Sequence, residues 1–258
     1  MDHIFDEETE RLDEINEKLS LISRKSGLTF GTDAYILSAF AGAKKGGRAV
    51  DLGCGTGVIS LLLASRDKFE KIYSFEIQRE YAELTDRNVR LNGLESKIEV
   101  RHADVRNISV KDTFGEVDAV LMNPPYMKEA SGRGNDTDEM NAARREVNGT
   151  IYDFCAAAGR LLKSGGALYA VYRPERLVDL TDAMRRADVE PKKMMFMYQT
   201  PFSEPSLVFV EGKKGASSSV IVTRPLIVYK NGTREYTDDM NRIYEDFSTS
   251  HLTERGKK

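Results

Sequence analysis

The chain is poor in cysteine, poor in histidine and without a long hydrophobic run. Its two cysteines are Cys54 and Cys155 in 258 residues. That excludes a disulfide-stapled scaffold and fits a reducing cytoplasm. The three histidines, His3, His102 and His251, stand apart with no ligand spacing, so no metal is expected. No apolar stretch approaches the roughly 18 residues of a membrane-spanning helix. The first residues are acidic, unlike a signal peptide. No membrane partner is expected either. Charge of one sign is also lacking, since the net charge is −3. Through residue 20, however, eight acids face only Arg11 and Lys18, a local balance of −6, so the remainder carries +3. A body so close to neutral can still present a local basic face to a nucleic acid. Candidate basic pairs are Arg144 with Arg145, Arg173 with Arg176, Arg185 with Arg186, Lys192 with Lys193 and Lys213 with Lys214.

What is present is a soluble composition, 40% hydrophobic and 31% charged, long enough to bury one sizeable core. Residues 6–24 carry Leu12, Ile15, Leu19 and Ile22 at helical spacing, which predicts a helix, so residues 1–27 are read as an N-terminal helical extension. Thr32 is a plausible N-cap for a helix through Phe40. Strands are expected at about 48–52, 71–75, 98–103 and 117–122, with helices at about 57–66 and up to Leu91. The second of these closes on Asn92-Gly93, a good left-handed cap. Residues 128–141 read as a loop. Thr150 then caps a helix ended by Gly165-Gly166, followed by a strand at 167–172 and two late strands near 194–199 and 206–211. Strands alternating with helices imply a doubly wound, mostly parallel sheet. One domain is expected over residues 28–245, with a polar tail at 246–258.

Two motifs carry chemistry. Val50-Asp51-Leu52-Gly53-Cys54-Gly55-Thr56-Gly57 reads as strand, glycine turn and helix start. The glycines let a ligand approach the main chain, but their G-x-G-x-G spacing is not the G-x-G-x-x-G of dinucleotide binders. That argues against a nicotinamide oxidoreductase. A second strand ends in Glu76, about 20 residues past the last glycine, the position of a ribose-binding carboxylate. A third ends in Asp104. The fourth ends in Asn123-Pro124-Pro125-Tyr126, where two prolines must stop the strand. This leaves an amide side chain before a rigid turn and an aromatic ring after it, a way to hold a flat ring bearing an amine. Ligands of such sheets sit beyond the carboxyl ends of the strands, the edge on which all four features fall.

Together, the D-x-G-x-G-x-G loop, the two strand-end acids and N-P-P-Y resemble the class I S-adenosylmethionine-dependent methyltransferases, of the kind that methylate a nitrogen conjugated to a π system. Phe30 to Ser38, Ala143 to Glu146 and Arg224 to Tyr229 are similar to the bacterial tRNA-valine (adenine-N6) methyltransferases, although that pattern has His where this chain has Arg145. The match spans roughly residues 28–245. The resemblance implies a Rossmann-like fold with a seven-stranded sheet. It implies S-adenosylmethionine as cofactor, held by Asp33, Asp51, Gly53, Gly55, Gly57, Glu76, Asp104, Val105 and Asn123. It implies a tRNA partner and catalysis by Asn123, Pro124 and Tyr126, with Pro125, Tyr126, Arg144 and Arg145 touching the substrate. The expected reaction is methylation of the adenine N6 immediately 3′ of a valine anticodon. A release-factor glutamine, an rRNA guanine N2 and DNA adenine are alternative acceptors, and a non-catalytic RNA-binding protein is a more distant one.

Overall fold

A computed structural model describes residues 5–26, 31–124 and 149–253. The chain opens with two strands, β1 (Glu10–Asn16) and β2 (Leu19–Arg24), where a helix is expected. They pair antiparallel, with Asn16 opposite Leu19, so only Glu17 and Lys18 form the loop. The Asn16 side chain accepts the Lys18 N–H at 2.9 Å, which closes the turn locally. The period of two in Leu19, Leu21 and Ser23 is the signal that the helical spacing masks. All three are buried.

The remaining elements alternate as expected. They are α1 (Thr32–Phe40), β3 (Arg48–Leu52), α2 (Val58–Ser65), β4 (Lys71–Glu76), α3 (Arg79–Leu91), β5 (Ile98–His102) and β6 (Val117–Met122), then α4 (Ile151–Leu161), β7 (Leu162–Tyr172), α5 (Leu177–Arg186), β8 (Val189–Tyr198) and β9 (Pro205–Lys214), and finally β10 (Ile221–Val222), β11 (Leu226–Ile227) and α6 (Asp238–Asp246). The N-cap of α1 is Gly31, not Thr32, which is its first helical residue. At the other end of α1 the Lys68 ammonium donates to the carbonyls of Ser38, Ala39 and Ala41, a cation at the negative end of a helix. Thr150 does cap α4, in a reciprocal pair with Asp153.

The main sheet runs β5-β4-β3-β6-β7-β9-β8. Its first five strands are parallel and β9 is antiparallel to both neighbours. These are the seven expected strands. Two-residue β10 and β11 also lie parallel to β8, so among the described residues the sheet has nine strands where seven are expected. Alternation sends Val50, Leu52, Tyr73 and Phe75 to the face covered by α4 and α5, and Ala49 and Ile72 to the face covered by α1, α2 and α6. The tail assigned as polar is in part core, since Phe247, Thr249, His251 and Leu252 are buried. Among the described residues no helix is long and apolar enough to cross a membrane.

Asp118, near the start of β6, staples the sheet edge opposite the predicted site. It pairs with Lys44 at 2.6 Å and with Lys163, and it accepts the Arg48 N–H at 2.8 Å. Burial alone would raise its carboxyl. The Lys163 and Lys44 hydrogen bonds override that and hold it at about 2. Its contribution to stability is therefore full above the ordinary 3.8 and is lost as the pH falls through about 2. Asp118→Ala is expected to lower unfolding free energy by about 1–3 kcal/mol and to leave cofactor affinity unchanged. Denaturant unfolding beside calorimetry checks both.

Candidate functional site

Register places the predicted residues side by side. Leu52 pairs with both Met122 and Phe75, so Gly53, Asn123 and Glu76 emerge together from adjacent strands. Glu76 pairs with His102, which sets Asp104 two residues beyond on the neighbouring strand. The glycine loop leaves β3 with Gly53, Gly55 and Gly57 all in the left-handed region, at φ +70°, +57° and +83°. Residues with a Cβ adopt that conformation only at a cost. Gly57 is also the N-cap of α2.

Four carboxylates surround this edge, each in a different state. Glu76 is buried, and its two oxygens accept the Gly55 and Gln78 N–H groups, each at 2.9 Å. It therefore holds the glycine loop from below while keeping acceptor capacity for hydroxyls. Asp104 forms a forked pair with Arg106, with Nε 2.9 Å from both carboxylate oxygens. The Arg106 hydrogen bonds hold its carboxyl below the usual range. Val105 is buried beside it, and Arg160 of α4 fixes that turn by donating to the Val105 carbonyl at 2.9 Å.

Asp51 is fully buried on the α2 face of β3. Its Oδ2 accepts from Ser60 at 2.8 Å, and Ser60 in turn contacts Ser74 at 2.8 Å. Oδ1 has no hydrogen-bond partner among the described residues. Burial pushes this carboxyl up to about 7, with the Ser60 hydrogen bond opposing the shift and the Glu76 charge adding to it. Such an orphaned oxygen is costly unless a cation or donor meets it.

Asp33, in the first turn of α1, reaches across to Asn123, whose Nδ2 donates to its Oδ2 at 3.0 Å. Ninety residues separate the two. That contact was not legible from either motif alone. Asn123 is half-buried and Pro124 is buried. Pro125, Tyr126, Arg144 and Arg145 lie outside the described residues, as does the 128–141 loop.

Three further residues, unmarked by any motif, shape the site. Thr85 and Asn88 on α3 hydrogen-bond the glycine loop, and Arg160 holds the turn after β5. For Thr85 and Asn88 the one sequence signal is a polar side chain on a helix face that is otherwise apolar.

The arrangement fits a ligand that carries an amine, a ribose and a second amine on a flat ring. A strand order of β5-β4-β3-β6-β7-β9-β8, a left-handed glycine loop and a strand-end carboxylate define a Rossmann-like methyltransferase of class I, whose cofactor is S-adenosylmethionine. Residues 24–187 match the model of the methyltransferase small domain, and the chain belongs to that family. It is 26% identical over 228 residues to a protein of Porphyromonas gingivalis named tRNA1(Val) (adenine(37)-N6)-methyltransferase, covering 85% of this chain and 88% of that one. Among solved structures, a predicted O-methyltransferase of Agrobacterium tumefaciens superposes with a TM-score of 0.68 at 23% identity, over 83% of this chain and 96% of that one. TYW2 of M. jannaschii in complex with AdoMet gives 0.55 at 15% identity, over 81% and 89%. The protein is thus a methyltransferase that uses S-adenosylmethionine. The fold class and cofactor expected from its sequence stand.

Proposed function

We propose that the chain methylates the exocyclic N6 of an adenine in tRNA, the base immediately 3′ of the anticodon of a valine tRNA. The observation that carries this is the end of β6. Asn123 donates an amide N–H to Asp33, which orients its side chain, and its Oδ1 is the atom able to accept from an incoming amine. An exocyclic aromatic amine is a poor nucleophile because its lone pair is delocalised into the ring. Acceptors at Asn123 Oδ1 and the Pro124 carbonyl, one for each N–H, would draw the nitrogen toward tetrahedral geometry and localise that pair. Tyr126, next in the motif but one, would stack on the base, an interaction worth about 1–3 kcal/mol. An anticodon-loop base is already accessible, which spares most of the few kcal/mol of extrusion. The name of the P. gingivalis relative supports the same acceptor.

The cofactor roles follow the site. Bound S-adenosylmethionine supplies a methyl group already activated on a sulfonium, so the residues need only position and polarise. The main chain of Gly53, Gly55 and Gly57 would lie against its methionine part. Glu76 would take the ribose hydroxyls, and Asp104 with Val105 would meet the adenine. Asp51 would face the amino group, as its unpaired Oδ1 favours.

A pH dependence follows from Asp51. In the free protein its carboxyl sits at about 7, so the folded state favours the protonated form and the group works against folding as the pH rises from 3.8 to about 7. A cationic amino group beside it favours the carboxylate. Binding then releases a proton, and cofactor affinity rises with pH up to about 7 and falls again as the cofactor's own amino group loses its charge at about 7.7–8.0. Calorimetry from pH 5.5 to 8.5 is expected to show that rise below about 7 in the native chain and no rise in Asp51→Asn. A native profile without slope removes Asp51 from the amino group.

The reaction itself is tested by transfer of labelled methyl from S-adenosylmethionine to unmodified total tRNA, read by nucleoside mass spectrometry. N6-methyladenosine at one position of one tRNA is the expected product. Label on guanosine, or none on tRNA while cofactor still binds, overturns the acceptor proposed.

A further inference from the structure

The inner face of α3 presents Thr85 and Asn88, and its C-cap Asn92 continues the same side, at spacings of three and four residues. Thr85 and Asn88 have no solvent exposure, and neither is a residue one expects inside a core. Each is there because a backbone carbonyl is waiting for it. The Thr85 hydroxyl donates to the Gly55 carbonyl at 2.6 Å. The Asn88 amide donates to the Thr56 carbonyl at 2.9 Å and to the Ile22 carbonyl at 3.0 Å, while its oxygen accepts the Ile22 N–H at 2.7 Å. Asn92 repeats the pattern one turn on, accepting the Ser20 N–H at 3.0 Å and donating to the Ser20 carbonyl at 2.8 Å. Two helix amides thus take the place of a strand neighbour along the open edge of β2.

The consequence for the cofactor loop is geometric. A peptide group is planar and trans, so its carbonyl and the next N–H point to opposite sides. Holding the Gly55 carbonyl against α3 turns the Thr56 N–H away from α3. From the other direction Glu76 fixes the Gly55 N–H. The loop is gripped on successive peptides, by Glu76 on one side and on the other by Thr85 and Asn88, which need not touch the ligand.

We infer that Thr85 and Asn88 are positioning residues for S-adenosylmethionine: they hold the Gly53–Gly57 loop in its binding shape before the cofactor arrives, and Asn88 ties the N-terminal hairpin into that support. A preformed loop spares the cost of ordering on binding. Because Asn88 grips Thr56 and Ile22 with one amide group, cofactor that stabilises the loop must also stabilise the β2 edge, since coupling between two sites is reciprocal.

Thr85→Val keeps the side-chain volume and the methyl that packs on Gly57, and removes the hydroxyl that donates to the Gly55 carbonyl and contacts the Cys54 thiol at 3.7 Å. Calorimetry with the full chain is expected to show S-adenosylmethionine binding weakened about tenfold, the scale of one buried carbonyl left unpaired. KM for cofactor should rise in step, with kcat at saturation within about twofold. Thr85→Ser, which restores the hydroxyl, is expected to recover the affinity. A Thr85→Val variant that binds cofactor like the native chain, whatever its melting temperature, overturns the inference. If Thr85→Val does not fold, hydrogen exchange on the native chain decides. Cofactor is expected to slow exchange of the Ile22 amide, and an unchanged Ile22 rate overturns the link to the hairpin and with it the inference. Neither readout depends on which acceptor is methylated, so failure here leaves the tRNA adenine proposal standing, and failure there leaves this one.

Discussion

Asn123→Ala is expected to lose about 10²–10³ of turnover, the scale set by deleting one preorganised polar group at a reacting centre, while cofactor affinity stays within about threefold. The asymmetry follows from where Asn123 stands. It leaves β6 one residue after Met122, whose neighbour Leu52 leads into the glycine loop, so its backbone is set by the sheet. Its side chain is set by Asp33, 3.0 Å away. Alanine preserves the strand, the prolines and the loop, and deletes one of the two acceptors proposed for the amine. Asn123→Asp makes a sharper test. It puts a second carboxylate next to Asp33, and two such groups cannot both ionise at that distance without one being raised. Its activity is therefore expected to fall as the pH rises through that raised value, a dependence Asn123→Ala lacks. Single-turnover methyl transfer and calorimetry on the same preparations separate chemistry from binding. Parallel loss of both in Asn123→Ala makes the residue a cofactor ligand and not an acceptor for the substrate amine.

How far this site was legible in the sequence depends on the distance over which each feature is determined. The glycine loop, Glu76, Asp104 and Asn123 each follow a strand whose apolar run is local, and α/β topology sends all such strand ends to one edge. Their juxtaposition could be foreseen without coordinates. The Asp33–Asn123 pair could not, because it depends on how α1 docks against a strand ninety residues away. The hairpin was misread for a related reason. Leu12, Ile15, Leu19 and Ile22 fit a helix stripe, yet Leu19, Leu21 and Ser23 fit a strand equally well. What decides between them is the Asn88 and Asn92 amides, which lie on a different element. Asp51 shows the converse. Its place before the glycines was legible, but the local pattern did not show that it faces α2, bonded to Ser60 and closed to solvent.

Gly57→Ala is expected to weaken cofactor binding more than about 100-fold. Two costs combine at this position. At φ +83°, an alanine pays about 1–2 kcal/mol for left-handed backbone. Its Cβ would also stand 2.6 Å from the Thr85 methyl carbon and 3.3 Å from its hydroxyl, closer than any relaxed structure tolerates. Thr85 is buried in α3 with no room to retreat, so either the glycine turn moves or the Thr85 hydroxyl leaves the Gly55 carbonyl. Both spoil the loop. Gly93→Ala isolates the first cost. It too sits at positive φ, +63°, but has open space where the Cβ would go, and it closes α3 at the end remote from the glycine loop. It is expected to lose about 1–2 kcal/mol of stability and no cofactor affinity. The clash can be tested directly by adding Thr85→Ala to Gly57→Ala. If the two methyl groups collide, the double variant binds cofactor better than Gly57→Ala alone, a non-additivity expected only of residues in contact. If the double variant is worse by the sum of the two single effects, strain at φ +83° is the whole cost, and the loop fails through its backbone and not through α3.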